Sequence, residues 1–177
     1  MEKYSFENYK TADWSLEHIH AQNSEGLNKK ETADLHGADQ VHIWRRSYDT
    51  PPPSFEKGNP ENPALHCRYQ NQVDPIPLAE SLKDTVDRVL PYWENTIWPD
   101  VQSGKKVLIA AHGNSIRALV KHLDSLSDNE ISEVNIPTGS PLVYELDDAG
   151  KATKKYYLGD QDQIQKEMES VKNQGQP

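Results

Sequence analysis

One cysteine, two methionines and two phenylalanines are all the sequence holds of those residues, and its basic side chains are outnumbered. The single thiol, Cys67, excludes an internal disulfide and a zinc site built on cysteines. It lies in a polar, proline-rich stretch, and a catalytic thiol is not expected there. With 19 Lys and Arg against 28 Asp and Glu, the net charge is −9. That balance disfavours nonspecific binding to nucleic acid. No run of about 18 apolar residues is available to cross a membrane, and Met1–Asp13 has no signal-peptide pattern. A soluble, cytoplasmic chain without membrane or nucleic-acid partners is expected. Hydrophobic residues make up only 34%, and mean hydropathy is −0.88. A chain of 177 residues suffices for one domain, with a lean core.

Excess negative charge does not forbid a small anionic substrate. It requires basic side chains to converge locally, against the field of the whole molecule. Clusters of Lys and Arg beside apolar anchors are therefore informative here.

What is present centres on Lys105 to Leu123, KKVLIAAHGNSIRALVKHL. Val107, Leu108, Ile109, Ala110 and Ala111 form a continuous apolar run, the pattern of a strand covered on both faces. Gly113 allows a sharp turn and close backbone approach, and Asn114 or Ser115 can cap a helix. Ile116, Leu119, Val120 and Leu123 then recur on one helical face. His112 is thereby predicted at the carboxyl end of a buried strand, beside the N–H groups of a helix start. Ligands of open α/β sheets bind at that edge, and helix N-termini favour anions. A lone histidine is often a structural one, but the strand-end position favours a functional role.

Asn28 to His36 is a predicted helix, with Asn28 and Glu31 resembling a capping box and Gly37 as its stop. Asp39 to Arg46 continues as a further turn or two. Its adjacent Arg45 and Arg46 read either as a solvated helix end favoured by the dipole or as a bidentate oxyanion clamp. His18 and His20 would share one face of a strand, but no third ligand is spaced to make a metal site. Thr50 to Pro77 holds seven of the twelve prolines and reads as a surface excursion over a site. Glu80 to Trp93 is a predicted helix. Ser81 and Asp84 start it, Leu82, Val86, Val89, Leu90 and Trp93 form its buried face, and Pro91 should kink it or mark its last turn. Asp128 to Glu133 is a short helical piece. Pro141–Leu146 and Ala152–Leu158 read as an antiparallel hairpin around Asp147–Gly150, at a sheet edge. The predicted organisation is an irregular leader at 1–13, one domain at 14–160 and a polar tail at 161–177, at most a helix with a frayed end.

Several stretches together resemble cofactor-dependent phosphoglycerate mutase, of the histidine phosphatase superfamily. They are GLNK at Gly26–Lys29, WRR at Trp44–Arg46, DRVLPYWENTI at Asp87–Ile97, AAHGNSIRALVKHL at Ala110–Leu123, NIPTGSPLVYEL at Asn135–Leu146 and KYYLGD at Lys155–Asp160. The resemblance implies a three-layer α/β/α fold with a mostly parallel sheet. It implies interconversion of 3-phosphoglycerate and 2-phosphoglycerate, in glycolysis and gluconeogenesis, through a phosphohistidine primed by 2,3-bisphosphoglycerate and without a metal. His112 matches the second active-site histidine, which stabilises the transferring phosphoryl group. Gly113 and Asn114 match adjoining substrate contacts. Lys29, Arg45 and Arg46 match the cations that bind phosphate and carboxylate of a phosphorylated three-carbon acid. Homo-oligomers are common in the family.

The sequence also departs from that pattern. The family's opening strand ends in an Arg-His-Gly turn whose histidine is the nucleophile. The N-terminal third of the pattern, with that motif, has no counterpart; the only His-Gly pairs are His36-Gly37 and His112-Gly113. Before GLNK, an ungapped alignment puts His18 on the family's acid–base glutamate, whereas one inserted residue puts Glu17 there, and both alignments stay open. Without a nucleophile there is no phosphoenzyme. Without the missing strand, unpaired backbone and exposed apolar residues are expected beside Val107–Ala111, in a weakly stable chain, unless another pairing closes the gap. Besides a mutase, a noncatalytic phosphoglycerate-binding or subunit-pairing relative, or a phosphatase of the same superfamily, fits these residues.

Overall fold

The computed structural model describes residues 29–54, 56, 58–59, 62, 65 and 77–173. Glu17, His18, His20, Asn28 and Cys67, on which several expectations rest, lie outside those residues.

Helix α1 runs Lys29–His36 and α2 Ala38–Arg46. Gly37 separates them at φ +86°, the left-handed conformation that ends a helix and favours glycine. Its N–H donates to Ala33 O at 2.9 Å. Trp44 of α2 meets His36 of α1 edge-on, with ring centroids 5.0 Å apart.

Helix α3 spans Leu82–Tyr92. Ser81 caps it as its sequence predicts: the hydroxyl accepts from Asp84 N–H at 3.3 Å, and the Ser81 N–H donates to the Asp84 carboxylate at 2.8 Å. Pro91 lies in the last turn of α3, one of the two outcomes expected for it. The chain continues through a π-helical turn, Trp93–Ile97, into α4, Trp98–Gln102. Pro91 and Pro99 lack the N–H that an α-helix needs at those points. The wider turn absorbs the mismatch: Trp98 N–H reaches back five residues to Trp93 O, and Asn95 Nδ2 donates to Pro91 O at 2.7 Å.

Helix α5, Gly113–Leu123, packs across α3, and the short α6, Asp128–Ser132, closes one end. Leu82, Val86, Val89, Trp93 and Ile97 meet Ala118, Leu119 and Ile131 in the core. The α3 face predicted from its periodicity is thus the buried one, with Leu90 packed at its rim.

Strands β1, Leu142–Leu146, and β2, Ala152–Tyr157, form an antiparallel hairpin with an irregularity at Glu145/Leu146. Gly150, at φ +80°, sits in its turn. A Cβ there would lie 3.2 Å from the Trp98 ring, so the turn is seated directly on that indole. Helix α7, Gln161–Asn173, follows. It buries Ile164 to 5% exposure, accepts the Ser140 hydroxyl on Glu167 at 2.9 Å, and so docks against the domain.

The mostly parallel sheet is not formed among the described residues, where the hairpin is the whole sheet and has no wider sheet to edge. Val107–Ala111, expected as a buried strand, carries no ladder. Val107 is 41% exposed and Leu108 78%. A strand satisfies its backbone only on a neighbour, and no described segment pairs with this one. The described architecture is a mixed α/β one, a helical core with a small two-stranded sheet.

Candidate functional site

The site is built where α2, α5 and α6 end or begin. His112 is the residue before α5, with extended backbone at ψ 156° and an exposed side chain that does not cap the helix. Its carbonyl accepts Ile116 N–H at 3.0 Å, the first bond of α5. Asn114 and Ser115, expected as caps, instead lie within the first turn. The reason is Gly113, which already adopts helical geometry and moves the cap back to His112. Gly113 does not need its missing Cβ for a left-handed turn, and an added Cβ would meet no atom within 4 Å. Open space therefore lies beside Gly113, at the start of α5 and the positive end of its dipole.

Arg46 ends α2 and is buried, 9% exposed. Its Nη2 donates to Val171 O of α7 at 3.1 Å. Burial lowers its pKa, and the Glu133 carboxylate works in the other direction. Arg45 is half-buried beside it; burial first, and then the charge of Arg46, lower its pKa too. Neither arginine is the freely solvated end of a helix. Lys29 opens α1, and its side-chain placement lies outside the described residues.

Arg117 joins these pieces, and no motif pointed to it. It is 6% exposed. Its Nη1 donates to Asn114 Oδ1 at 3.3 Å, and its Nη2 donates to Ile131 O at 2.8 Å and, more weakly, to Arg46 O at 3.4 Å. Its Nε, although buried, has no acceptor among the described residues. Burial, and then the neighbouring Arg46 charge, push its pKa down to about 10. The structure thus brings Arg46, Arg117 and Asn114 into one connected group, with Gly113 and His112 adjoining Asn114 along the chain. The signal that could have found Arg117 is its spacing: residues i and i+3 of a helix are neighbours, so an arginine three after Asn114 is within its reach.

The chemistry of this group is that of hydrogen-bond donors and positive charge. Two buried guanidinium groups lie close enough to perturb each other, in a chain whose net charge is −9. Like charges so placed stay together only where covalent connection and hydrogen bonds hold them, and they favour an anion.

A sequence profile described as the histidine phosphatase superfamily (branch 1) matches residues 54–158. This chain belongs to that superfamily. The matched residues include His112, Gly113, Asn114 and Arg117, whereas Lys29, Arg45 and Arg46 precede them. Membership supports phosphoryl-transfer or phosphatase-type chemistry, which a donor-rich, cationic helix start serves by stabilising charge on a phosphoryl group.

Proposed function

We propose that this chain binds phosphorylated three-carbon acids and belongs to the phosphoglycerate mutase branch of its superfamily, acting on 3-phosphoglycerate and 2-phosphoglycerate in the cytoplasm. The observation that carries the reading is the group that Arg117 links at the start of α5, bonded to Asn114 Oδ1 and Arg46 O, with two neighbouring guanidinium charges in an acidic chain. In this reading His112 stabilises the transferring phosphoryl group. Gly113 and Asn114 contact the substrate, and Lys29, Arg45 and Arg46 bind its phosphate and carboxylate. Donor-only guanidinium groups suit a polyanion such as 2,3-bisphosphoglycerate. Arg45, Gly113 and Asn114 would hold it, and when bound it supplies the priming phosphoryl group. The three-layer fold belongs to the same reading: Val107–Ala111 becomes its buried strand when a neighbouring strand lies beside it. A homo-oligomer is the expected assembly.

The test is a mutase assay on the purified chain, with 2,3-bisphosphoglycerate as primer, alongside titration with 3-phosphoglycerate. Interconversion that is lost in His112→Ala supports catalysis. A second reading keeps the binding group and gives it no chemistry. It is a noncatalytic relative that binds phosphoglycerate, and its signature is retained binding with no turnover. Hydrolysis of phosphate esters without isomerisation would instead favour the phosphatase reading. Failure to bind any phosphorylated acid would overturn all three.

A further inference from the structure

We propose that Arg117 is a positioning residue: its guanidinium fixes the Asn114 side chain with the amide NH2 turned outward, as a donor for a phosphate oxygen. The proposal rests on the phosphate-binding reading above and adds to it a residue that touches no ligand.

The argument is one of matching donors to acceptors. A guanidinium carries five N–H donors and no acceptor. The atom that Asn114 presents to Arg117 Nη1, 3.3 Å away, must therefore be Oδ1. Its Nδ2 is then turned away from the arginine, at a residue that is itself exposed. An exposed asparagine left alone would offer a ligand either end of its amide. Held this way it offers only N–H groups, which match the acceptor-only oxygens of a phosphate and mismatch a cation or a hydrogen-bond donor.

Arg117 is itself held by a stronger contact. Nη2 lies 2.8 Å from Ile131 O and 3.4 Å from Arg46 O. The same side chain therefore ties the last residue of α2, which carries the Arg45–Arg46 pair, to the first turn of α5, 71 residues away. A planar fork spans acceptors in three directions, which a lysine ammonium on a flexible stem does not reproduce. Removing the fork releases the Asn114 amide and loosens the register between the two segments.

The experiment is a double-mutant cycle on the full chain, read by titration with inorganic phosphate and with 3-phosphoglycerate. Arg117→Lys should weaken binding roughly tenfold, the scale of one charge-assisted hydrogen bond. In an Asn114→Ala background the same change should cost almost nothing further in binding, while thermal stability still falls there through the lost contacts to Ile131 O and Arg46 O. Equal binding losses in the two backgrounds, or no loss, would overturn the assignment. Should Arg117→Lys not fold, Asn114→Asp serves instead. It keeps an acceptor for Arg117 but has no outward donor, so it should fold and lose phosphate binding. Native-like affinity in that variant would overturn the proposal. The orientation is also read without ligand, from nuclear Overhauser contacts. The Asn114 NH2 protons should lie away from those of the Arg117 guanidinium, and close contacts between them would overturn it. Absence of phosphate binding by the unsubstituted chain would sink the functional reading while leaving this orientation test standing.

Discussion

Two apolar runs flank His112, and they meet opposite fates. Ile116 to Leu123, after it, supplies some of the most buried side chains described, with Ala118 at 0% exposure and Val120 at 1%. Val107 to Ala111, before it, leaves Leu108 78% exposed. The exposed run is the more apolar of the two, since Arg117, Lys121 and His122 interrupt the other, so hydrophobicity does not explain the difference. A helix closes its own backbone hydrogen bonds and needs a partner only for one face. A strand needs a neighbour for its backbone before it can bury its side chains. The chemistry proposed for this chain sits at the joint between them. One side of the site is anchored by a packed helix, and the other hangs on an extended segment with no described partner.

Substitutions should expose that asymmetry. The largest effect belongs to the helix: Leu119→Ala should cost roughly 2–5 kcal/mol, the range for truncating a buried leucine. A urea titration followed by circular dichroism measures it. A cost under about 1 kcal/mol would mean that α5 is no better packed than the segment before it.

The cap of α3 comes next. Ser81→Ala should cost about 1 kcal/mol by the same measurement, a usual value for a lost N-cap. The Ser81 hydroxyl, and then its N–H, hold the Asp84 carboxyl below the usual carboxylate range. A depressed carboxylate contributes stability that is present above its unfolded-state pKa and disappears as pH falls through the lower folded-state value. Acidification below about pH 4 should therefore cost the native chain more than Ser81→Ala, and the variant's stability curve should be flatter on the acid side.

On the extended side, Leu108→Ser should change stability by less than about 0.5 kcal/mol, as for a surface position. A cost comparable with that of Leu119→Ala would show that Val107–Ala111 is buried in solution by a partner strand. At the joint no loss of stability is expected. Gly113→Ala should leave the fold unchanged or stabilise it by up to about 1 kcal/mol, since alanine is the better helix former and its Cβ meets nothing. The same variant should bind phosphate more weakly, because the methyl group enters the open space at the helix start. Unchanged phosphate affinity would place the ligand elsewhere.

The elements legible in the sequence are those whose cause is local. The apolar face of α3, its Ser81–Asp84 cap, the stop at Gly37 and the hairpin turn at Asp147–Gly150 each follow from residues within a few positions of one another. The π-helical turn was not legible, although its cause, Pro91 and Pro99, was in view. Two prolines eight apart show that regular hydrogen bonding must fail, not whether the chain bends or widens. Of the candidate site, the adjacency of His112, Gly113 and Asn114 follows from connectivity alone. That Arg46 would turn inward to the Val171 carbonyl did not, because both contrasting readings of Arg45 and Arg46 fit a helix end. Arg117 escaped notice because a charged residue inside an amphipathic helix ordinarily faces water. The carbonyls of Ile131 and Arg46, with Asn114 Oδ1, make its burial tolerable.

By itself the sequence determined most of the helices, the Ser81 cap of α3, the hairpin and the acidic balance of the chain. These depend on periodicity, capping and turn chemistry acting over a few residues. Tertiary structure alone decided that Arg46, Arg117 and Asn114 form one group, that α7 docks on the domain, and that Val107–Ala111 is left without a ladder. Each of those outcomes depends on which distant backbone or side chain offers an acceptor or a neighbouring strand. A hydrogen bond between residues 71 apart, or a strand pairing that does not form, leaves no local pattern to read.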